Sequence, residues 1–257
     1  MPEEINRVVC DHLSTFLFSP TLTSFNNLVR EGFDPEARPP FSIDRPGIYH
    51  CGDVMFDNAL HFIRIAGKRS QILHDLDLKE KDFILCTIHR DNNTDSASRL
   101  NAIMNSLNEI SLARQIIFIL PLHPRTAKML PVMLESNLRE SISANPFFRI
   151  TGPVPYFDML SLENQCRMII TDSGGVQKES YFFRKPCLVL RSESEWKELI
   201  ELGTASIVDA DPKMIGDAFS RYYNRPPDQF PAIFGDGNAA EFILGELVKF
   251  LPASLVN

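Results

Sequence analysis

The chain has 257 residues, of which 44% are hydrophobic and 23% are charged. A chain of this size and composition buries one or two solid cores, which excludes a disordered tail, a collagen-like repeat and a disulfide-stapled mini-protein. With 26 basic and 33 acidic side chains the formal net charge is -7. No overall positive field attracts nucleic acid, so we expect no nucleic-acid partner.

The cysteines and the hydropathy pattern indicate the compartment. The five cysteines make an odd number without CxxC spacing, and Cys86 and Cys187 lie in apolar runs typical of buried free thiols. No apolar run approaches the ~18 residues of a membrane span, and the first residues lack the basic-then-apolar pattern of a signal peptide. We therefore predict a cytoplasmic protein with reduced thiols and no membrane span.

The first fifty residues predict an incomplete domain. The pattern indicates a helix over residues 3–13, a short strand over 15–20, a second helix over 23–31 that ends at Gly32, and a proline-rich loop. One strand with two helices cannot bury both faces of the strand by itself. We interpret residues 1–51 as the remnant of an N-terminal domain whose beginning is missing.

Six short apolar runs follow, with amphipathic stretches such as 96–110 between them. Near-continuous apolarity is typical of parallel strands buried on both faces, so the alternation predicts an α/β fold with a doubly wound parallel sheet over residues 52–230. Residues 231–257 are expected to form a terminal helix that packs back on the body. The runs are FILCTI (83–88), QIIFIL (115–120), FFRI (147–150), RMII (167–170), CLVL (187–190) and ASIV (205–208).

A Ser-Gly-Gly turn follows the fourth of these runs, in the segment RMII-TDSGGVQKES. Ligands of doubly wound folds bind at the carboxyl ends of the strands, and here Gly174 and Gly175 free the backbone N–H groups of a helix start to bind an anion. Ser173 adds a hydroxyl donor, and Glu179 lies far enough along the helix to reach sugar hydroxyls beside a phosphate. The alternative is a tight strand–helix turn without a ligand.

Two other runs end in a similar pair of side chains. His89 and Arg90 follow FILCTI, and His123 and Arg125 follow QIIFIL after a short interval. An arginine is a fixed cation and a histidine can donate a proton, which suits a pyrophosphate, whereas the alternative for Arg90 is a surface pair with Asp91. The six histidines show no HxxxH or HExxH spacing, so we expect no zinc site, and the motifs GxGxxG and GxxxxGK[ST] are absent.

Seven segments together resemble the non-hydrolysing UDP-N-acetylglucosamine 2-epimerases. The resemblance implies two Rossmann-like domains of the glycosyltransferase-B type, of which residues 52–230 form the C-terminal, UDP-binding one. It also implies a mechanism without a cofactor or a metal, in which UDP is eliminated to give a 2-acetamidoglucal and is added back after C2 is protonated on the other face. The segments are PEEINR (2–7), GDVMFDNAL (52–60), TIHRDN (87–92), LHPRT (122–126), TDSGGVQKES (171–180), KPCLVLRSESEW (185–196) and GDGNAA (235–240).

Site residues follow from the resemblance position by position. Glu3 matches a carboxylate of acid–base chemistry at the sugar, and His89 matches the histidine near the leaving phosphate. The resemblance also implies binding of a UDP-sugar, either UDP-N-acetylglucosamine or a relative. Ser173, Gly174 and Gly175 match the residues that hold the diphosphate, Glu179 matches those that hold the ribose, and Arg90 and Arg191 are further matches. His123, which follows the neighbouring strand, is predicted from its position to belong to the same UDP site. A homodimer is the expected assembly.

Two departures from the family pattern leave alternatives open. The segment Ser194-Glu195-Trp196 stands where the best-known members have an arginine toward the phosphates, and it looks more like the branch acting on UDP-2,3-diacetamido-2,3-dideoxy-glucuronate. The residues that the family has before PEE are absent, so we expect a fragment, a split gene or a truncated reading frame. We expect such a chain to bind UDP without epimerising alone. The alternatives are a UDP-binding module that needs a separate N-terminal piece and a UDP-sugar glycosyltransferase of the same fold.

Overall fold

The computed structural model describes residues 2–78 and 82–250. The strands are short, and each of the six predicted runs overlaps one of them. In chain order the strands are β1 Phe16–Ser19, β2 Gly47–His50, β3 Phe83–Thr87, β4 Ile117–Pro121, β5 Phe148–Thr151, β6 Met168–Thr171, β7 Cys187–Val189 and β8 Ala205–Ile207.

Helices connect the strands. In chain order they are α1 Pro2–His12, α2 Leu22–Arg30, α3 Val54–Arg69, α4 Ile72–Asp75, α5 Asp91–Thr94, α6 Ala97–Arg114, α7 Pro124–Met133, α8 Ser136–Ala144, α9 Tyr156–Gln165, α10 Gly174–Phe182, α11 Lys197–Glu201, α12 Pro212–Asn224 and α13 Ala239–Val248. No helix in the described ranges is both long and apolar enough to cross a membrane.

The chain divides into two compact units. The first comprises the chain up to His61 together with the segment that starts at Pro231, and the second comprises Phe62–Phe230. Residues 52–61 and the terminal helix therefore group with the first unit, whereas the sequence analysis began a new domain at residue 52. The predicted domain limits stay a prediction.

The second unit is built on a six-stranded sheet with the order β5-β4-β3-β6-β7-β8. Every neighbouring pair is parallel, as predicted. The chain moves outward from β3 to β5 and then returns to place β6 on the other side of β3. Loops after β3 and β6 thus diverge at a topological switch point, where ligands bind in folds of this kind.

Helices cover both faces of this sheet. Side chains alternate along each strand, so Ile84 and Cys86 join one core with α6 and α12, while the equally buried Leu85 points to the opposite face. The amphipathic pattern predicted for 96–110 is confirmed, because four of its apolar positions are fully buried in α6. These positions are Leu100, Ile103, Met104 and Leu107.

The first unit contains a smaller core. Strands β1 and β2 pair in parallel, and Leu17, Leu28, Phe33 and Ile48 pack together beneath them. Only one strand was predicted here, and β2 was not. The run IYHC is only four residues long, too short for periodicity to separate a strand from a loop.

Candidate functional site

A buried carboxylate joins the loops that follow β3 and β6. Asp172 is fully buried and accepts the backbone N–H groups of His89 and Arg90, each at 3.0 Å. The side-chain amide of Asn93 donates to Asp172 at 3.0 Å and to the carbonyl of Leu190 at 2.9 Å. These bonds fix the loop after β3 against the turn after β6 and the end of β7.

The two predicted histidines lie beside each other at this edge. The ring centroids of His89 and His123 are 5.7 Å apart, and Nδ1 of His89 lies 3.4 Å from a carboxylate oxygen of Asp172. Burial lowers the pKa of His89; the charge of Asp172 opposes that shift, while His123 and Arg90 add to it. His89 is therefore mostly neutral at pH 7 and keeps one ring N–H for donation.

An apolar cavity of about 200 Å³ opens beyond β3, β4 and β5. Most of its walls are prolines and aliphatic side chains, and Thr87 and the two histidines supply its polar part. It is lined by Thr87, Ile88, His89, Pro121, Leu122, His123, Pro124, Pro153, Val154, Met159 and Val176. A larger groove of about 790 Å³ runs along β8 and α12 and contains none of the predicted site residues.

Helix α10 begins at the Ser-Gly-Gly turn. Ser173 is its N-cap, with its hydroxyl accepting the N–H of Val176 at 3.5 Å, and its own N–H donates to Thr171 at 2.9 Å. Gly175 is exposed, and the nearest protein atom to an added Cβ there is 3.9 Å away. The turn therefore leaves open space over the N-terminal backbone of α10, where an anion is stabilised.

An ion pair lies over the same helix end. Arg191 donates to both carboxylate oxygens of Glu195, at 2.8 and 2.9 Å. A Cβ added at Gly174 would lie 3.2 Å from Glu195, so this glycine gives room to a side chain of the protein as well as to a ligand. Partial burial acts to raise the pKa of Glu195, but the hydrogen bond and charge of Arg191 and the charge of Arg90 lower it below its usual value.

Trp196 does not replace the family's cation but holds the turn. Its indole N–H donates to the carbonyl of Gly174 at 2.9 Å, and the ammonium of Lys178 lies 4.4 Å from the indole ring. Ser194 donates to the side-chain carbonyl of the buried Gln177 at 2.6 Å. The segment Ser194–Trp196 therefore packs on the first turns of α10.

Glu179 lies one and a half turns further along α10 and is half-buried. Burial raises its pKa to about 7, while a hydrogen bond with Glu163 of α9 and the charge of Lys178 act to lower it. Glu163 is fully buried, and burial holds its pKa well above the usual range. Among the described residues, no three His, Cys, Asp or Glu side chains converge as ligands for a metal.

Most predicted site residues share the second unit and its carboxyl edge. Those residues are His89, Arg90, His123, Ser173, Gly174, Gly175, Glu179 and Arg191. Glu3 belongs to α1 of the first unit, and its side chain lies outside the described residues. Sequence reasoning missed Asp172, Glu195 and Glu163. A signal existed for Asp172, a carboxylate directly after a buried strand, and for Glu163, an acid inside the apolar stretch MLSLEN.

Comparison with known proteins decides the family. The family model described as UDP-N-acetylglucosamine 2-epimerase matches residues 1–248. The chain belongs to the UDP-N-acetylglucosamine 2-epimerase family. The predicted resemblance is confirmed, and the epimerase family provides the frame for the site.

Two relatives and one solved structure illustrate the match. A UDP-N-acetylglucosamine 2-epimerase homolog of Methanococcus maripaludis is 39% identical over 93% of this chain and 62% of its own length. The UDP-2,3-diacetamido-2,3-dideoxy-D-glucuronate 2-epimerase of Pseudomonas aeruginosa is 36% identical over 97% of this chain and 64% of its own. The chain thus spans less than two thirds of these relatives.

The solved structure confirms the fold class. The UDP-GlcNAc 2-epimerase of Methanocaldococcus jannaschii, in complex with UDP-GlcNAc and UDP, superposes with a TM-score of 0.80 and 33% identity. The match covers 97% of this chain and 65% of that one. The doubly wound parallel α/β sheet is therefore the architecture that this member shares with the epimerases.

Proposed function

We propose that the chain binds the UDP part of a UDP-sugar and takes part in epimerisation at C2 of the sugar. The observation that carries this proposal is the open N-terminus of α10 at Gly175, beside Ser173, Arg90 and Arg191. Backbone N–H groups, a helix dipole and two arginines suit a diphosphate. The M. jannaschii relative, solved with UDP-GlcNAc and UDP, supports the same ligand class.

Suitable surroundings can also be proposed for the uracil and the ribose of the nucleotide. The apolar cavity beside His89 and His123 suits a flat uracil ring, and Glu179 on α10 suits the hydroxyls of the ribose. A carboxylate accepts hydrogen bonds from two neighbouring hydroxyls, which is a common way to hold a ribose. We propose this arrangement for the described part of the site.

The chemistry needs a leaving diphosphate and two proton transfers at C2. Breaking the C1–O bond leaves negative charge on the UDP, which the α10 N-terminus and the neutral ring N–H of His89 would stabilise. Loss of the C2 proton completes elimination, and return of a proton to the other face with re-addition of UDP gives the epimer. Glu3 is our proposal for one of the acid–base groups.

We also propose which sugars the chain acts on, its oligomeric state and its cellular compartment. The P. aeruginosa relative is named for UDP-2,3-diacetamido-2,3-dideoxy-D-glucuronate. The segment Ser194–Trp196 resembles that branch of the family and supports this UDP-sugar as a second candidate substrate beside UDP-N-acetylglucosamine. We propose a homodimer in the cytoplasm. Binding of both UDP-sugars under identical conditions would rank the two substrates.

Calorimetry tests the binding part. The change Glu179→Ala should weaken UDP by about 1–3 kcal/mol, as loss of a charged hydrogen bond does, and leave inorganic pyrophosphate unchanged. The control Glu201→Ala changes an exposed acid on α11 and should leave both affinities unaltered. Equal weakening of both ligands by Glu179→Ala would place the ribose elsewhere.

Proton NMR tests the chemical part. The 257-residue chain is incubated in deuterated water with each UDP-sugar, and deuterium at C2 is followed together with the configuration of that carbon. Exchange at C2 that Glu3→Gln abolishes would establish acid–base chemistry in this chain. UDP binding without exchange would restrict its role to the nucleotide, as the sequence predicts.

A further inference from the structure

Glu163 has a buried carboxyl group that lacks the usual hydrogen-bond donors, as far as the structure describes its surroundings. It lies on α9 with none of its surface exposed. Among the described residues, no N–H or hydroxyl group donates to either of its oxygens. An ionised carboxylate that is buried without donors is very unfavourable, so such a group keeps its proton.

The carboxyl of Glu163 meets that of Glu179. Helices α9 and α10 pack against each other, and burial together with the charge of Glu179 raises the pKa of Glu163. Two ionised carboxylates repel each other, and they can share a hydrogen bond only when one of them carries a proton. Glu163 is the more deeply buried of the pair, so it carries the proton and donates to Glu179.

We propose that Glu163 is a positioning residue, whose protonated carboxyl donates to Glu179 and holds the Glu179 carboxylate in place to accept the ribose hydroxyls of a bound uridine nucleotide. This inference rests on the proposed function, because it requires Glu179 to face the ribose. It adds a role for a residue that has none of its surface exposed to solvent. One Glu179 oxygen receives the Glu163 proton, which leaves acceptor sites for the nucleotide.

The pair predicts how nucleotide affinity varies with pH. The groups titrate together: below about pH 7 both carboxyls are protonated, and above it Glu179 ionises while Glu163 stays neutral. A carboxylate accepts a ribose hydroxyl more strongly than a carboxylic acid does, so the Glu179 contribution to UDP affinity rises as pH increases through about 7. The other groups whose charge or proton acts on the pair are Tyr156, Cys166 and Lys178.

Two variants separate positioning from packing. Glu163→Met fills the same space without a donor, so burial of Glu179 is no longer offset and its pKa rises further. Glu163→Gln keeps an N–H donor in the same place. We expect Glu163→Met to weaken UDP about tenfold near pH 7.5 and to move the inflection of affinity to higher pH, whereas Glu163→Gln stays within about threefold of the parent.

The measurement is calorimetric titration of all three proteins with UDP from about pH 6 to pH 9. The phosphate of UDP titrates in the same way in each experiment. Differences between the three proteins in how UDP affinity varies with pH therefore report on Glu163 and Glu179. Inorganic pyrophosphate, which does not extend to the ribose, should bind all three alike. An unchanged UDP affinity and inflection in Glu163→Met would overturn the inference.

A second measurement does not depend on UDP. In protein labelled with carbon-13 at glutamate carboxyls, one NMR signal should still have the shift of a protonated acid at pH 7 and be missing from Glu163→Gln. An ionised Glu163 at pH 7 would refute the inference. If the parent failed to bind UDP, the proposed function would fail, while this NMR result would still decide the state of Glu163.

Discussion

The backbone N–H of His89 donates to the carboxylate of Asp172 at 3.0 Å, between residues 83 positions apart in the sequence. The bond links the ends of neighbouring parallel strands, β3 and β6, at the switch point of the sheet. Because Asp172 also accepts the N–H of Arg90 and the amide of Asn93, one buried carboxylate sets the position of the whole loop.

We expect Asp172→Asn to destabilise the fold. The new amide keeps the size of the side chain but turns one acceptor oxygen into a donor that faces other N–H groups. Loss of charged, buried hydrogen bonds should lower the free energy of unfolding by about 2–4 kcal/mol. Urea denaturation measures this. Asp95→Asn, which breaks an exposed pair with Arg125, is the control and should have a much smaller effect.

The sequence predicts most of the second unit because its strands are buried on both faces. Strands β3 and β6 have no solvent-facing positions, so apolarity alone marks them, and the parallel arrangement follows. The strand order β5-β4-β3-β6-β7-β8 does not follow, since no run specifies which other run lies beside it. In the first unit β2 was not predicted, because a run of four residues is too short for its periodicity to indicate a strand.

The candidate site was predictable where a strand end meets a polar motif, as at His89 and at Ser173. The pairings behind those residues were not, because they join distant parts of the chain. Asp172 with His89 and Glu163 with Glu179 are long-range contacts that no spacing rule contains. The family resemblance implied roles only for positions that we expect to face the ligand and gave none to Glu163.

Two adjacent glycines make a matched test of ligand approach. In Gly175→Ala the new methyl meets no protein atom closer than 3.9 Å, so stability should hold or rise by about 0.5–1 kcal/mol, as for Gly to Ala in a helix. UDP and pyrophosphate should both bind at least about tenfold more weakly, because the methyl stands over the anion site. Thermal unfolding and calorimetry measure the two effects.

Gly174→Ala is the comparison for that variant. Its methyl would lie 3.2 Å from the flexible end of Glu195, which has to move by a few tenths of an ångström. A change in UDP affinity in this variant therefore has two causes, the contact of the methyl with the ligand and the displacement of Glu195. The larger Gly174→Val should abolish UDP binding. Full UDP affinity in Gly175→Ala would mean that the diphosphate does not approach this turn.

One of the five cysteines should react with thiol reagents much faster than the other four. Burial raises the pKa of Cys166 and of Cys187 to about 12, that of Cys51 to about 11, and that of Cys86 well above its usual value. Cys10 is exposed. We expect rapid labelling of Cys10 alone in the native protein near pH 8, checked by mass spectrometry of peptides.

The same shifts determine how stability changes in alkali. Each folded-state pKa lies above the unfolded value of about 9, so unfolding releases protons in that range. The contribution of the buried thiols is therefore complete below about pH 8 and is lost as pH rises from about 9 toward 12. Cys187→Ala should show a shallower alkaline decline in urea denaturation, and an unchanged slope would contradict this.

The last prediction concerns the carboxylate of Glu195 over the start of α10. A diphosphate that arrives there meets a negative charge already paired with Arg191, so Glu195→Gln removes repulsion while its amide oxygen still accepts from the arginine. We expect pyrophosphate to bind about 3–10-fold more tightly, with the gain largest at low ionic strength. The control is Glu193→Gln, an exposed neighbour that should change little. Weaker pyrophosphate binding by Glu195→Gln would show instead that Glu195 orients Arg191 toward the ligand.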